Sequence, residues 1–272
     1  MIPRIFLPLA LALVLGACVP VTAPPPAPSP RATPAGYPGF DTGIYPGEAA
    51  LRAWYGASPY RWVGYYLASP CHRDASWMGT LPTLQRIGWG TAILYVGQQA
   101  FENQTVTDTV PPERILCSRS LLTVEQARAD AADAVAKATA EGFPPLSVIY
   151  LDVERMQEIP PAMVIYYQAW LDAVLRNGRY RAGTYAHRVN AEALYGLAQT
   201  AYLISGSRES PPFWVSGGAG FSLDAPPSAS GFPFAEVWQG ILDVRRSFGG
   251  VTLLIDENVA TRGSLSVLSP NE

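Results

Sequence analysis

From Tyr37 onward, short runs of strand-forming residues are separated by helix-forming segments, and this alternation limits the possible folds more than any other feature. A parallel strand needs a crossover to reach its neighbour, usually a helix, so the alternation implies parallel pairing. The pattern predicts strands over 38–41, 62–67, 91–96, 147–154, 181–185, 213–216, 236–239 and 251–255. It predicts helices around 47–55, 81–87, 123–141, 160–176 and 190–197, while 201–204 fits either class. The best marked helix begins with Thr123 and Gln126 as a capping box and stops at Gly142. Seven or eight such strands in one unit predict an α/β fold: a single-domain, irregular (β/α)8 TIM-like barrel over 37–272. It is irregular because the second half is poor in helices and none follows Asp256.

The central strand reads S-V-I-Y-L-D-V-E from Ser147 to Glu154. Strand side chains alternate, so Ile149, Leu151 and Val153 share one face and Tyr150, Asp152 and Glu154 the other. The second face turns acidic where the strand ends. Carboxylates at i and i+2 have Cβ atoms roughly 6–7 Å apart. Side-chain rotation then allows either carboxyl separation used in glycoside hydrolysis, about 5–5.5 Å or about 6.5–9.5 Å. Retention and inversion of configuration both stay open. An Asp-x-Glu triplet also occurs by chance, and such acids often cap the following helix.

In a barrel of parallel strands the functional residues collect at the C-terminal strand ends. The predicted strands end in Asp41, in Asp152 and Glu154, in Tyr185 with His187 beyond it, in Trp214, in Trp238 and Gln239, and in Asp256 with Asn258. Carboxylates and aromatic rings around one mouth suit a sugar, whose C–H faces stack on rings and whose hydroxyls bond acids and amides. Asp152 and Glu154 are the candidate catalytic pair. Asp41, Asp256, Tyr185, Trp214, Trp238 and Gln239 are the candidate substrate-binding residues. Asp41 also suits a helix cap, His187 a loop hydrogen bond, and the two tryptophans a core.

Composition removes other function classes. The net charge is −3 without a basic block, which argues against nucleic acid as a partner. Two histidines and three cysteines without ligand-like spacing predict no metal site, and no phosphate-binding glycine loop predicts a cofactor. Residues 1–17 read as a signal peptide whose apolar run, 5–15, is too short for a bilayer span of about 20 residues. The segment ends Leu15-Gly16-Ala17-Cys18, which looks like a bacterial lipobox with Cys18 as the lipidated residue; an ordinary signal peptide is the alternative. Residues 18–36 then form a Pro/Ala-rich tether. The expected product is an exported lipoprotein of the cell envelope, held at the membrane through its lipid anchor alone. In that oxidising setting Cys71 and Cys117 are expected to form a disulfide. A nucleophilic Cys71 beside His72 is the alternative.

Several motifs together carry a resemblance: G-F-D at 39–41, Y-L-D-V-E at 150–154, G-T-Y at 183–185, F-W at 213–214, W-Q at 238–239 and I-D-E-N at 255–258. The chain resembles, over about 37–262, a bacterial secreted glycoside-hydrolase-like family of unknown function, a barrel related to the family 25 lysozymes. The resemblance implies that Glu154 is the proton donor. It implies that Asp152 stabilises an oxocarbenium ion or orients an attacking N-acetyl group, while Asp41 and Asp256 tune charge and hold the sugar. The implied partner is cell-wall polysaccharide such as peptidoglycan. Two other readings use the same chain: a non-catalytic glycan-binding lipoprotein, and a scaffold for envelope proteins.

Overall fold

The computed structural model describes Met1, residues 35–100 and residues 117–266. Residues 2–17 of the expected signal peptide, Cys18 and all but the last two tether residues lie outside the described residues, as does most of the polar loop after 97. The elements run β1 (Tyr37–Asp41), α1 (Glu48–Ala57), β2 (Trp62–Tyr66), α2 (Leu81–Ile87), β3 (Gly90–Val96), α3 (Val124–Ala140), β4 (Val148–Val153), α4 (Pro161–Asn177), β5 (Arg181–His187), α5 (Arg188–Ile204), β6 (Phe213–Ser216), β7 (Val237–Phe248) and β8 (Val251–Ala260). The strands close a barrel in chain order. The apolar segment at 201–204 belongs to α5, where Leu194, Ala198, Ala201 and Tyr202 bury one face.

From β1 to β7 each strand pairs in parallel with the next, as the alternation predicts. β8 departs from that expectation and runs antiparallel to both β7 and β1. The cause is local. Gly249 and Gly250 have φ of 56° and 78°, and two consecutive positive φ values suit a tight hairpin turn. The chain therefore folds straight back after Phe248, with no crossover. Both strands are also longer than predicted, forming an arm beyond the barrel wall. The arm lies over α1. Trp54 Nε1 donates to the Val251 carbonyl at 3.0 Å, and Phe248 packs on Trp54 and Tyr60 at 5.2 and 5.8 Å. Arg246 grips Glu257 with two hydrogen bonds of 2.7 and 3.0 Å.

Apolar residues fill two layers. Ile149, Leu151 and Val153 face outward to the helices, packing in one cluster with Ala131, Tyr167 and Leu171. Trp62, Leu94, Val148, Tyr150, Trp214 and Val237 fill the barrel interior. Glycines admit these large groups. A Cβ at Gly39 would stand 2.1 Å from the Trp62 ring, and one at Gly64 2.5 Å from Asp41 Cβ. Gly64 thus leaves Asp41 the space in which its carboxylate is held.

Cys71 and Cys117 form a disulfide, with Cα atoms 4.9 Å apart, closing a separation of 46 residues. On chain entropy it stabilises by about 4 kcal/mol. Because both sulfurs are bonded, the alternative of a nucleophilic Cys71 falls.

Candidate active site at the barrel mouth

Inward-facing residues at the upper strand ends make one polar layer. Asp41 comes from β1, Tyr66 from β2, Asp152 from β4, Tyr185 from β5, Ser216 from β6 and Gln239 from β7. Asp256 and Asn258 enter from β8. Antiparallel β8 descends from the arm, so these two sit in mid-strand and not at a strand end. Register places Asp256 directly opposite Asp41, and Asn258 opposite Gln239.

Asp41 is the hub. It is 3% exposed. Tyr66 donates to its Oδ1 at 2.7 Å, and Gln239 and Asn258 donate to its Oδ2 at 2.9 and 2.8 Å. Burial pushes its carboxyl above the ordinary carboxylate range, and these donors pull it part of the way back. Gln239 also donates to Asp256 Oδ2 at 3.3 Å, and its Oε1 accepts from Tyr185 and Ser216, both at 2.7 Å. The Asp243 N–H donates to Asp256 Oδ1 at 2.7 Å. Desolvation, with the Asp41 charge next, pushes Asp256 up to about 7.

Asp152 is different. It is 7% exposed, and its Oδ1 is buried without a hydrogen-bond partner. Burial first, then the charges of Glu154 and Asp41, hold its carboxyl well above the ordinary value. Glu154 lies just past β4 and is exposed at the rim. Lost hydration raises it too, opposed by a hydrogen bond from the Arg155 backbone. Gln99 locks this strand end: its Nε2 donates to the Asp152 carbonyl at 2.8 Å, and its Oε1 accepts from the Glu154 N–H at 3.0 Å. Among the described residues, none of Asp41, Asp152, Glu154 and Asp256 forms an ion pair.

Asp41, Asp152, Glu154, Tyr185, Gln239 and Asp256 therefore gather at one mouth. The two tryptophans do not line it. Trp214 is fully buried one layer deeper, in edge-on contact with Trp62, Tyr150 and Tyr185. Trp238 precedes inward-facing Gln239 by one residue, so alternation turns it to the outer face. There it packs on Phe221 and donates to the Gly217 carbonyl at 2.9 Å. His187 caps α5 by accepting the Val189 N–H at 3.2 Å, the loop role open to it.

The pattern missed Tyr66, Ser216 and Gln99. Alternation could have found Tyr66, which shares a face with Trp62 and Gly64. Gln99 follows β3 in what reads as a featureless polar loop, and no local signal marks it.

The strands thus close a barrel with an acidic mouth. Residues 52–260 match the family described as Rv2525c-like, glycoside hydrolase-like domain, and the chain belongs to that family. No curated protein matches it significantly. Among solved structures it is similar to an uncharacterized protein of B. stearothermophilus, at 15% identity and TM-score 0.52, covering 85% of this chain and 99% of that one. It is also similar to the spore cortex lytic enzyme SleM of Clostridium perfringens, at 13% identity and TM-score 0.53, covering 87% and 70%. The modular autolysin LytC of Streptococcus pneumoniae gives 13% and 0.52, covering 82% of this chain and 46% of LytC. At these identities the likeness is one of fold.

Proposed function

We propose that this protein hydrolyses glycosidic bonds in cell-wall glycan, with Glu154 as proton donor and Asp152 as its partner carboxylate. The observation that carries the reading is the pair itself. Two acids at one strand end both have raised affinity for protons, Asp152 buried in the polar layer and Glu154 exposed just past the strand. Crowded carboxylates keep at least one proton near neutral pH, which acid catalysis needs. Glu154, at the open rim, delivers that proton to the leaving oxygen. Asp152, below it, stabilises the oxocarbenium ion or orients an N-acetyl group. The named activities of SleM as a lytic enzyme and LytC as an autolysin, the latter also solved with a synthetic peptidoglycan ligand, support wall glycan as the substrate class.

Glu154→Gln is expected to abolish release of reducing ends from purified wall material while the melting temperature stays the same. Unchanged release removes Glu154 as the acid.

One observation favours a second reading, glycan binding without cleavage. Burial and two acidic neighbours push the Asp152 carboxyl well above its ordinary value, and a carboxyl that favours its neutral form is a poor partner for a cation. That reading expects saturable binding to wall fragments and no new reducing ends over long incubation.

We further propose export, cleavage before Cys18 and lipidation there, with 18–36 as the tether. The Cys71–Cys117 disulfide supports an oxidising destination. Cys18→Ala is expected to move the protein from the membrane fraction to the soluble fraction of cells.

A further inference from the structure

β3 ends at Val96, which pairs with Asp152 of β4. Past that pair no β3 backbone is in register with β4. A side chain takes its place. In a parallel ladder, one residue donates to the carbonyl before its opposite number and accepts from the N–H after it. The Gln99 carboxamide makes those two bonds, with the Asp152 carbonyl at 2.8 Å and the Glu154 N–H at 3.0 Å. They bracket Val153, the last residue of β4. A side-chain amide thus stands in for the next peptide of β3 and carries the ladder one step beyond the strand.

Gln99 is itself held. It is 1% exposed, and its Nε2 also reaches the Gly97 carbonyl at 3.3 Å. Gly97 lets the chain pass close to α4, where a Cβ would stand 2.6 Å from the Tyr166 hydroxyl and 2.7 Å from Leu151 Cδ1. The Gln98 N–H donates to that hydroxyl at 3.0 Å, and Tyr166 donates to Asp130 of α3 at 2.6 Å. The Ser118 N–H, next to disulfide-bonded Cys117, donates to Gln98 Oε1 at 2.9 Å. Residues 97–99 are therefore fixed from α3, α4 and the disulfide-bonded segment together. The consequence falls on Glu154, which is exposed and outside β4. Strand ends fray when their backbone bonds face water. Holding the Glu154 N–H in the ladder preserves strand alternation, which keeps Glu154 on the same side as Asp152.

We propose that Gln99 is a positioning residue, whose amide extends the β3–β4 ladder and so aims the Glu154 carboxyl at the leaving oxygen beside Asp152. This rests on the hydrolase reading above and adds the group that orients its acid. The role asks for one donor and one acceptor on a single side chain, which an amide supplies. An ionised glutamate supplies acceptors alone, and a methionine of the same length supplies no donor.

The test compares Gln99→Met and Gln99→Glu in the full chain. It reads hydrogen exchange at the Glu154 amide, and kcat and KM for release of reducing ends from purified wall material. The wild-type Glu154 amide is expected to be protected, and Gln99→Met to exchange it at least about tenfold faster. The kcat of Gln99→Met is expected to fall at least about tenfold, as for a misplaced catalytic group. Its KM is expected to stay the same, because Asp41, Tyr185 and Gln239 keep their partners. Gln99→Glu is expected to match wild type in protection and kcat at low pH, where its protonated carboxyl again offers one donor and one acceptor. It is expected to lose both as that carboxyl ionises. Wild-type protection or kcat in Gln99→Met overturns the proposal, as does a Gln99→Glu variant equally impaired at low pH. Those results leave the hydrolase reading standing. Absence of turnover in the wild type sinks that reading instead, and exchange at Glu154 then decides by itself whether Gln99 holds the strand end.

Discussion

Asp41 and Asp152 are two carboxylates in one layer, both buried and on facing walls of the same mouth. Asp41 accepts from Tyr66, Gln239 and Asn258. Asp152 leaves Oδ1 with no partner at all. A satisfied buried acid orders the groups that point at it. An unsatisfied one costs stability until a ligand or a proton completes it. Identical side chains thus divide into framework and function, and the division comes from their neighbours.

The largest expected effect tests the framework half. Asp41→Ala strands three donors around a hole and is expected to destabilise by about 3 kcal/mol, read by chemical denaturation. A cost near zero removes Asp41 as the hub. Asp152→Asn tests the other half. It replaces a buried carboxyl whose Oδ1 has no partner with an amide of the same shape, so stability is expected to hold or rise by up to about 1 kcal/mol, while hydrolysis is lost. A destabilisation as large as that of Asp41→Ala erases the contrast.

A third test is a pH dependence. Asp256 is raised from 3.8 to about 7 in the fold. Between those values the folded state binds more protons than the unfolded state, so this group's contribution to stability falls as pH rises. Asp256→Asn removes that term. Its melting temperature relative to wild type is expected to climb from about pH 4 to about pH 7. A flat difference across that window shows that Asp256 titrates normally.

The same contrast marks how much of the site could be read along the chain. Asp41, Asp152, Glu154, Tyr185 and Gln239 were legible because each ends a predicted strand, and barrel geometry brings such ends together. Asp256 was placed at the mouth by expecting a parallel last strand. It reaches the mouth instead because β8 runs the other way. The Gly249-Gly250 pair that reverses the chain is a local signal, and reading it as a hairpin would have shown the antiparallel strand. Trp214 and Trp238 read as sugar platforms from their places on predicted strands, yet one is a layer too deep and the other faces outward.

By itself the sequence determined the alternation of strands and helices, the inward and outward faces of each strand, and which acids end where strands end. Those follow from periodicity and local backbone preference, which neighbouring residues settle among themselves. Only the tertiary structure decided which carboxylate is saturated and which is left wanting a donor. Hydrogen-bond partners such as Gln239 and Asn258 lie far along the chain from Asp41, at separations of 198 and 217 residues. Ring closure alone brings them within reach.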